Sequence, residues 1–170
     1  RELFSEAVKL KLPVKIHADE LNMNRGTGLG IEYNALSADH LLQISDEDMK
    51  KLGKNKTVAT LLPGTAFFLG KTLPLARKIL DAGAKVALAS DYNPGSSHCD
   101  NLLLIASLSA PQLRMNPAEL WTAITLNASH ALGKYDQGAL IEGLKPRMSF
   151  FKADRLSQMT YSWGKNLCVR

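Results

Sequence analysis

Two rhythms of apolar and polar positions alternate along most of the chain. Residues 1–11, RELFSEAVKLK, put Leu3, Phe4, Ala7, Val8 and Leu10 on one broad stripe and predict a helix. The run 13-PVKIH-17 then reads as a short strand, opened by Pro13 where a missing N–H does least harm. A Gly-rich turn, 26-GTGLG-30, and a short helical stretch lead to a second strand, 35-ALSADH-40. The segment 45-SDEDMKKLGKN-55 predicts a helix with Ser45 as N-cap, acids in its first turn and Gly53 near its stop. An apolar strand, 57-TVATLLPG-64, follows and is closed by Pro63-Gly64. The helix 74-PLARKILDAG-83 runs from a proline to a glycine, and 85-KVALASD-91 is a fourth strand. Two further helices cover 98–110 and 117–132; the second is capped by Asn116, with Leu120, Trp121, Ile124 and Leu132 toward the core.

Strands separated by helices predict a parallel α/β architecture, and their near-continuous apolar character suits a sheet buried on both faces. After Gly133 the pattern changes. The runs 139-ALIEG-143, 148-MSFFKA-153 and 158-QMTYSW-163 read as short antiparallel strands. This places a boundary near residue 135, between an α/β unit at 1–135 and a small β element at 136–170.

Composition narrows the picture rather than changing it. The 170 residues are 45% hydrophobic and 22% charged, in the range of globular domains. The net charge of +5 comes from scattered Lys and Arg without interleaved aromatics, which argues against nucleic acid. No apolar run approaches the ~18 residues of a membrane span, and no signal-peptide pattern opens the chain. Cys99 and Cys168 are too few for a disulfide framework, so a cytoplasmic setting is expected. The sequons at Asn55 and Asn127 read as chance matches. The chain opens at Arg1 inside a helical pattern, without an initiator Met, and reads as a piece of something longer.

His17, His40 and Asp91 each fall at the C-terminal end of a predicted strand. In parallel α/β folds those ends converge on one mouth, where imidazoles and a carboxylate make good ligands for Zn²⁺ or Fe²⁺. Glu20 lies three residues beyond His17, within reach of a metal-bound water as general base or acid. The loop 91-DYNPGSS-97 is suited to binding a small molecule: Gly95 admits close backbone approach, and Asn93 offers both donor and acceptor. Taken singly, each residue has a plainer reading, as a hydrogen-bonded strand-end histidine, a helix cap or a turn. His98 and His130 read as structural, and the glycines of 26-GTGLG-30 do not form a nucleotide loop.

The strings KIHADE, ALSADH, LLPGTAFFLG and ASDYNPGSS, in this order and spacing, resemble the imidazolonepropionase family of metal-dependent amidohydrolases. The later TAITLNASHALG is similar to that family's helix after the eighth barrel strand, so the resemblance spans roughly residues 1–145. It implies the C-terminal half of a TIM-type (β/α)8 barrel, strands five to eight, followed by part of a small β-sandwich. It further implies one divalent metal, Zn or Fe, held by His17 and Asp91, with Glu20 and His40 managing protons and charge. Asn93, Gly95 and Ser96, with Glu20, are implied as substrate contacts. The implied reaction opens the cyclic C–N bond of 4-imidazolone-5-propanoate to give N-formimino-L-glutamate in histidine degradation. A homodimer is implied for the full-length enzyme, and the N-terminal half of the barrel is the expected missing partner.

The sequence departs from the family in two places. No His-x-His pair, which the family places on its first barrel strand, occurs anywhere in the chain, and Pro146-Arg147 stands where an Ala-Asp pair is usual. Two other readings therefore stay open: an amidohydrolase for another cyclic amide or amidine, or a non-catalytic half-barrel that pairs with a partner.

Overall fold

The computed structural model describes residues 1–169. Four strands, β1 (Lys15–Ala18), β2 (Ser37–His40), β3 (Val58–Leu61) and β4 (Val86–Leu88), form one parallel sheet in the order β1-β2-β3-β4. A doubly wound sheet would reverse its strand order at a switch point. Here each strand pairs with the next in sequence, as in a singly wound barrel wall.

Alternation along each strand divides the sheet into two faces. Ala18, Ala38, Ala59, Leu61, Val86 and Leu88 join the main core with apolar residues of the surrounding helices. The opposite face carries a row in register across all four strands: His17, Asp39, Thr60 and Ala87. The helices are α1 (Glu2–Lys9), α2 (Gly26–Glu32), α3 (Asp46–Leu52), α4 (Pro63–Phe68), α5 (Ala76–Asp81), α6 (Leu102–Gln112), α7 (Pro117–Ile124) and α8 (Leu126–Ala131). Of these, α8 covers part of the second face, where Ala131 and Ala128 pack on Val58 and Ala87.

Several elements differ from the sequence expectation. Pro63-Gly64 does not merely close a strand: Pro63 begins α4, a position where its missing N–H costs nothing. The expected helix 117–132 breaks at Thr125, whose φ of −122° and ψ of −88° are not helical, and Leu132 is exposed. In α1 none of the stripe is buried; Phe4 instead meets Tyr33 edge-on, with ring centroids 5.6 Å apart.

The largest correction lies beyond residue 135. Residues 139–143 form turns, and the second expected strand shrinks to β5 (Phe150–Phe151), which pairs antiparallel with β6 (Cys168–Val169). Residues 158–163 are not a strand; they fall largely in α9 (Leu156–Tyr161), which packs on α6 and buries Met159. The polar–apolar alternation of QMTYSW suits a strand, yet only Met159 finds a core to enter, and that core is reached from a helix. Arg170, the last residue of the expected second unit, lies outside the described residues. Cys99 and Cys168 are free thiols. No helix among the described residues is long and apolar enough to cross a membrane.

Candidate metal and catalytic site

β1 presents His17 on the face opposite the main core, and β2 ends at His40. The alternation that sends Ala38 into the helix layer would send His40 there too. Positive φ at His40 (81°) and Leu41 (61°) ends the pleat, and the His40 ring instead comes to His17, Nε2 to Nδ1 at 2.9 Å. Glu20, on the loop after β1, brings Oε2 to 3.7 Å from the same His40 Nε2. Donor atoms of His17, Glu20 and His40 all lie within 4.8 Å of one another.

The burial of His40 selects its tautomer. Its Nδ1 is buried with no hydrogen-bond partner among the described residues. An orphaned N–H costs more than an orphaned lone pair, so the proton belongs on Nε2, which donates toward His17. Burial holds His40 below the usual imidazole range, and His17 pushes the same way against Glu20, Asp91 and Asp39. His40 is therefore neutral near pH 7. Two imidazoles and a carboxylate so close together are a donor set suited to Zn²⁺ or Fe²⁺, with His40 able to join it only on giving up its Nε2 proton.

Asp91 follows β4 by three residues and has a φ of 52°. It lies outside the compact His–Glu–His group, though near enough to His40 to act on its charge. Its Oδ2 accepts from the Thr65 hydroxyl of α4 at 2.6 Å. Asn93 is occupied within its own loop. Its Oδ1 accepts from the N–H groups of Gly95 (2.9 Å) and Ser96 (2.8 Å), and its Nδ2 donates to the Asp91 carbonyl at 2.7 Å. The Ser97 hydroxyl bolts the loop to the Ser90 carbonyl at 2.7 Å. Gly95 stays exposed and Ser96 half-buried, at the outer side of this turn.

Two residues of this region escape sequence reasoning. Thr65 is one, because its partner lies 26 residues away. Asp19 is the other: inside the HADE string it reads as one more loop acid, yet it is almost wholly buried. The signal available was its position directly after a strand, where Asp tolerates a left-handed turn.

No protein-family model matches the chain. Among curated proteins it is 42% identical over 168 residues to the imidazolonepropionase of Bacillus velezensis, covering 98% of this chain and 40% of that protein. The imidazolonepropionase of Caldanaerobacter subterraneus is 41% identical over 167 residues, again 98% of this chain and 40% of the relative. A Geobacillus imidazolonepropionase is 45% identical over 153 residues, 89% of this chain and 36% of that protein. The chain thus spans about 40% of the length of the curated relatives it matches. Among solved structures, a zinc-bound adenosine deaminase from Xanthomonas campestris superposes with a TM-score of 0.80 at 16% identity, over 96% of this chain and 44% of that one. The zinc complex of atrazine chlorohydrolase from Arthrobacter aurescens gives 0.66 at 19% identity, over 91% and 40%. At such identities the likeness concerns the fold alone.

Proposed function

We propose that this relative of the imidazolonepropionases carries the part of an active site that hydrolyses the cyclic C–N bond of 4-imidazolone-5-propanoate, giving N-formimino-L-glutamate in histidine degradation. The observation that carries the reading is the convergence of His17, Glu20 and His40 at the mouth of a parallel sheet. It is supported by 42% identity to a curated imidazolonepropionase over nearly the whole chain.

His17 and Asp91 are the direct ligands this chain would give to one divalent cation, zinc or iron; further ligands come from residues outside it. When bound, such a cation supplies Lewis-acid polarisation and a water of lowered pKa. Glu20 accepts the proton of the attacking water and returns it to the ring nitrogen as the C–N bond breaks. His40, neutral, donates its Nε2–H to the carbonyl oxygen on which negative charge builds. The Asn93 turn holds Gly95 and Ser96 toward the substrate, with Asn93 acting chiefly through the loop it organises. Residues 1–135 are the half-barrel, and 136–170 the chain's share of a small β-sandwich, a reading that the β5–β6 pair supports. A cytoplasmic homodimer of the complete enzyme completes the proposal.

The test is complementation. Co-expressing the chain with the remainder of the Bacillus velezensis relative should give a soluble complex that consumes imidazolone, followed by its absorbance, while the chain alone does not. A complex as active with His17→Ala as without it would overturn the metal assignment. A soluble, metal-loaded complex with no turnover would overturn the reaction.

A further inference from the structure

We propose that Asp19 is the positioning residue that aims Glu20 at the metal site, a role that rests on the metal reading above. Strand alternation alone would not put Glu20 where it is. His17 faces the site and Ala18 the helix core. A continued strand would bring Asp19 back to the site and send Glu20 away. The left-handed φ of 50° at Asp19 breaks that alternation. Asp19 turns under the loop, only 1% exposed, and Glu20 emerges beside His40.

The carboxylate of Asp19 holds the turn in place. Oδ1 accepts from the N–H groups of Asn24 (3.1 Å) and Gly26 (3.3 Å). Oδ2 accepts from the N–H (3.0 Å) and the hydroxyl (2.6 Å) of Thr27. On the other side, the Asp19 carbonyl accepts from Gln43 N at 2.7 Å, and the Ala18 carbonyl from Leu41 N at 3.1 Å. Residues 18 and 19 are thus tied to both neighbouring loops, one of which leads on from His40. Glu20 is the first residue beyond these ties, and half-exposed. A carboxylate with four donors, and no cation among the described residues, is specific to its charge. In Asp19→Asn the amide NH₂ must face either the Asn24 and Gly26 N–H groups or the Thr27 N–H, so at least one backbone donor loses its acceptor and the clamp opens on that side.

The expected consequence is read by zinc titration of the chain, without any turnover. A cation added to this chain at His17 meets the Glu20 carboxylate as well, because their donor atoms lie within 4.8 Å of each other. Asp19→Asn should weaken Zn²⁺ binding by about tenfold to a hundredfold, the range for losing a partner that orients a metal site. Glu20→Gln should weaken it as well, and the double variant should bind no worse than Glu20→Gln alone, because Asp19 acts through Glu20. A merely structural Asp19 would lower the melting temperature and give additive losses instead. Additive losses would overturn the role of Asp19 and leave Glu20 at the metal; so would unchanged zinc binding in Asp19→Asn. Unchanged binding in Glu20→Gln would overturn the placing of Glu20 beside the metal and this proposal with it, while leaving His17 as a ligand. Circular dichroism melts establish that each variant is folded. Should Asp19→Asn unfold, Thr27→Val removes the hydroxyl donor alone and runs through the same cycle, with a smaller loss in the same direction.

Discussion

The hydroxyl of Thr65 donates to the carboxylate of Asp91 at 2.6 Å, so the helix that follows β3 fixes the acid that follows β4. Thr65 is buried on α4, and Asp91 sits in a left-handed turn that offers it no strand ladder. Thr65→Val keeps the shape and removes the donor, leaving a partly buried carboxylate short of one partner. We expect a loss of about 1–3 kcal/mol in urea unfolding, with Thr65→Ser restoring most of it. An unchanged midpoint in Thr65→Val would mean that solvent replaces the bond freely.

Acid should loosen the fold through His40. Burial lowers its pKa in the folded chain, with His17 adding to the effect and Glu20, Asp91 and Asp39 opposing it. The unfolded chain therefore binds the proton more readily, and stability rises with pH across the interval between the two values. Its contribution is complete above the unfolded imidazole value of about 6.5 and is lost as pH falls below it. His130, lowered by burial and by Lys85, acts in the same direction. Urea midpoints between pH 8 and pH 5 should be level at the alkaline end and decline on the acid side. His40→Gln should flatten that decline. A wild-type chain more stable at pH 5 than at pH 7.5 would contradict the assignment of a buried, neutral His40.

Helix α7 offers a local test of capping. Asn116 Oδ1 accepts from Glu119 N at 3.0 Å, and Glu119 Oε2 accepts from Asn116 N at 2.9 Å, a reciprocal capping box. Glu119 is also gripped by Arg77 of α5, at 2.9 and 3.1 Å. Asn116→Ala should cost about 1 kcal/mol, measured by urea unfolding at pH 7. It should also loosen Glu119 from Arg77, so Arg77→Ala in that background should cost less than in the wild type.

Much of this was legible in the sequence, and what was missed has physical causes. Three of the four strands lie within their predicted runs and β1 passes the end of its own by one residue, Ala18, because a sheet buried on both faces demands short apolar segments between helices. Ser45 and Asn116 mark their helix starts as expected, since each cap is a local bond between neighbours in sequence. The sequence grouped His17, His40 and Asp91 as strand-end residues with Glu20 beside them; of these His17, Glu20 and His40 come together, and Asp91 stands outside that group. Asp19 and Thr65 were missed: a loop clamp and a bond across 26 residues leave no periodic trace. The tail was misread for a related reason. Whether 158-QMTYSW-163 becomes helix or strand depends on which surface covers Met159, and that surface is α6.

Gly53 shows tertiary contact reversing what local preference predicts. It closes α3 with φ −61° and ψ −19°, ordinary right-handed values that alanine adopts without strain. On propensity alone Gly53→Ala should stabilise the chain by up to about 1 kcal/mol. The fold forbids it. A Cβ at Gly53 would stand 1.8 Å from the carbonyl oxygen of Ala82 and 2.7 Å from its carbon. Those atoms are backbone at the C-terminal end of α5, so no side-chain rotation relieves the clash. The ends of α3 and α5 must separate, pulling Met49 and Leu52 away from Ile79 in the main core. Overpacking of this kind costs about 1–3 kcal/mol or more, which outweighs the propensity gain. Gly64→Ala makes the informative comparison, because the one clash of its Cβ would be with the Cδ1 tip of Ile105, at 2.6 Å, and a side-chain tip can move. Urea unfolding should therefore rank Gly53→Ala well below Gly64→Ala in stability. A Gly53→Ala chain as stable as the wild type would mean that α3 and α5 do not meet backbone to backbone.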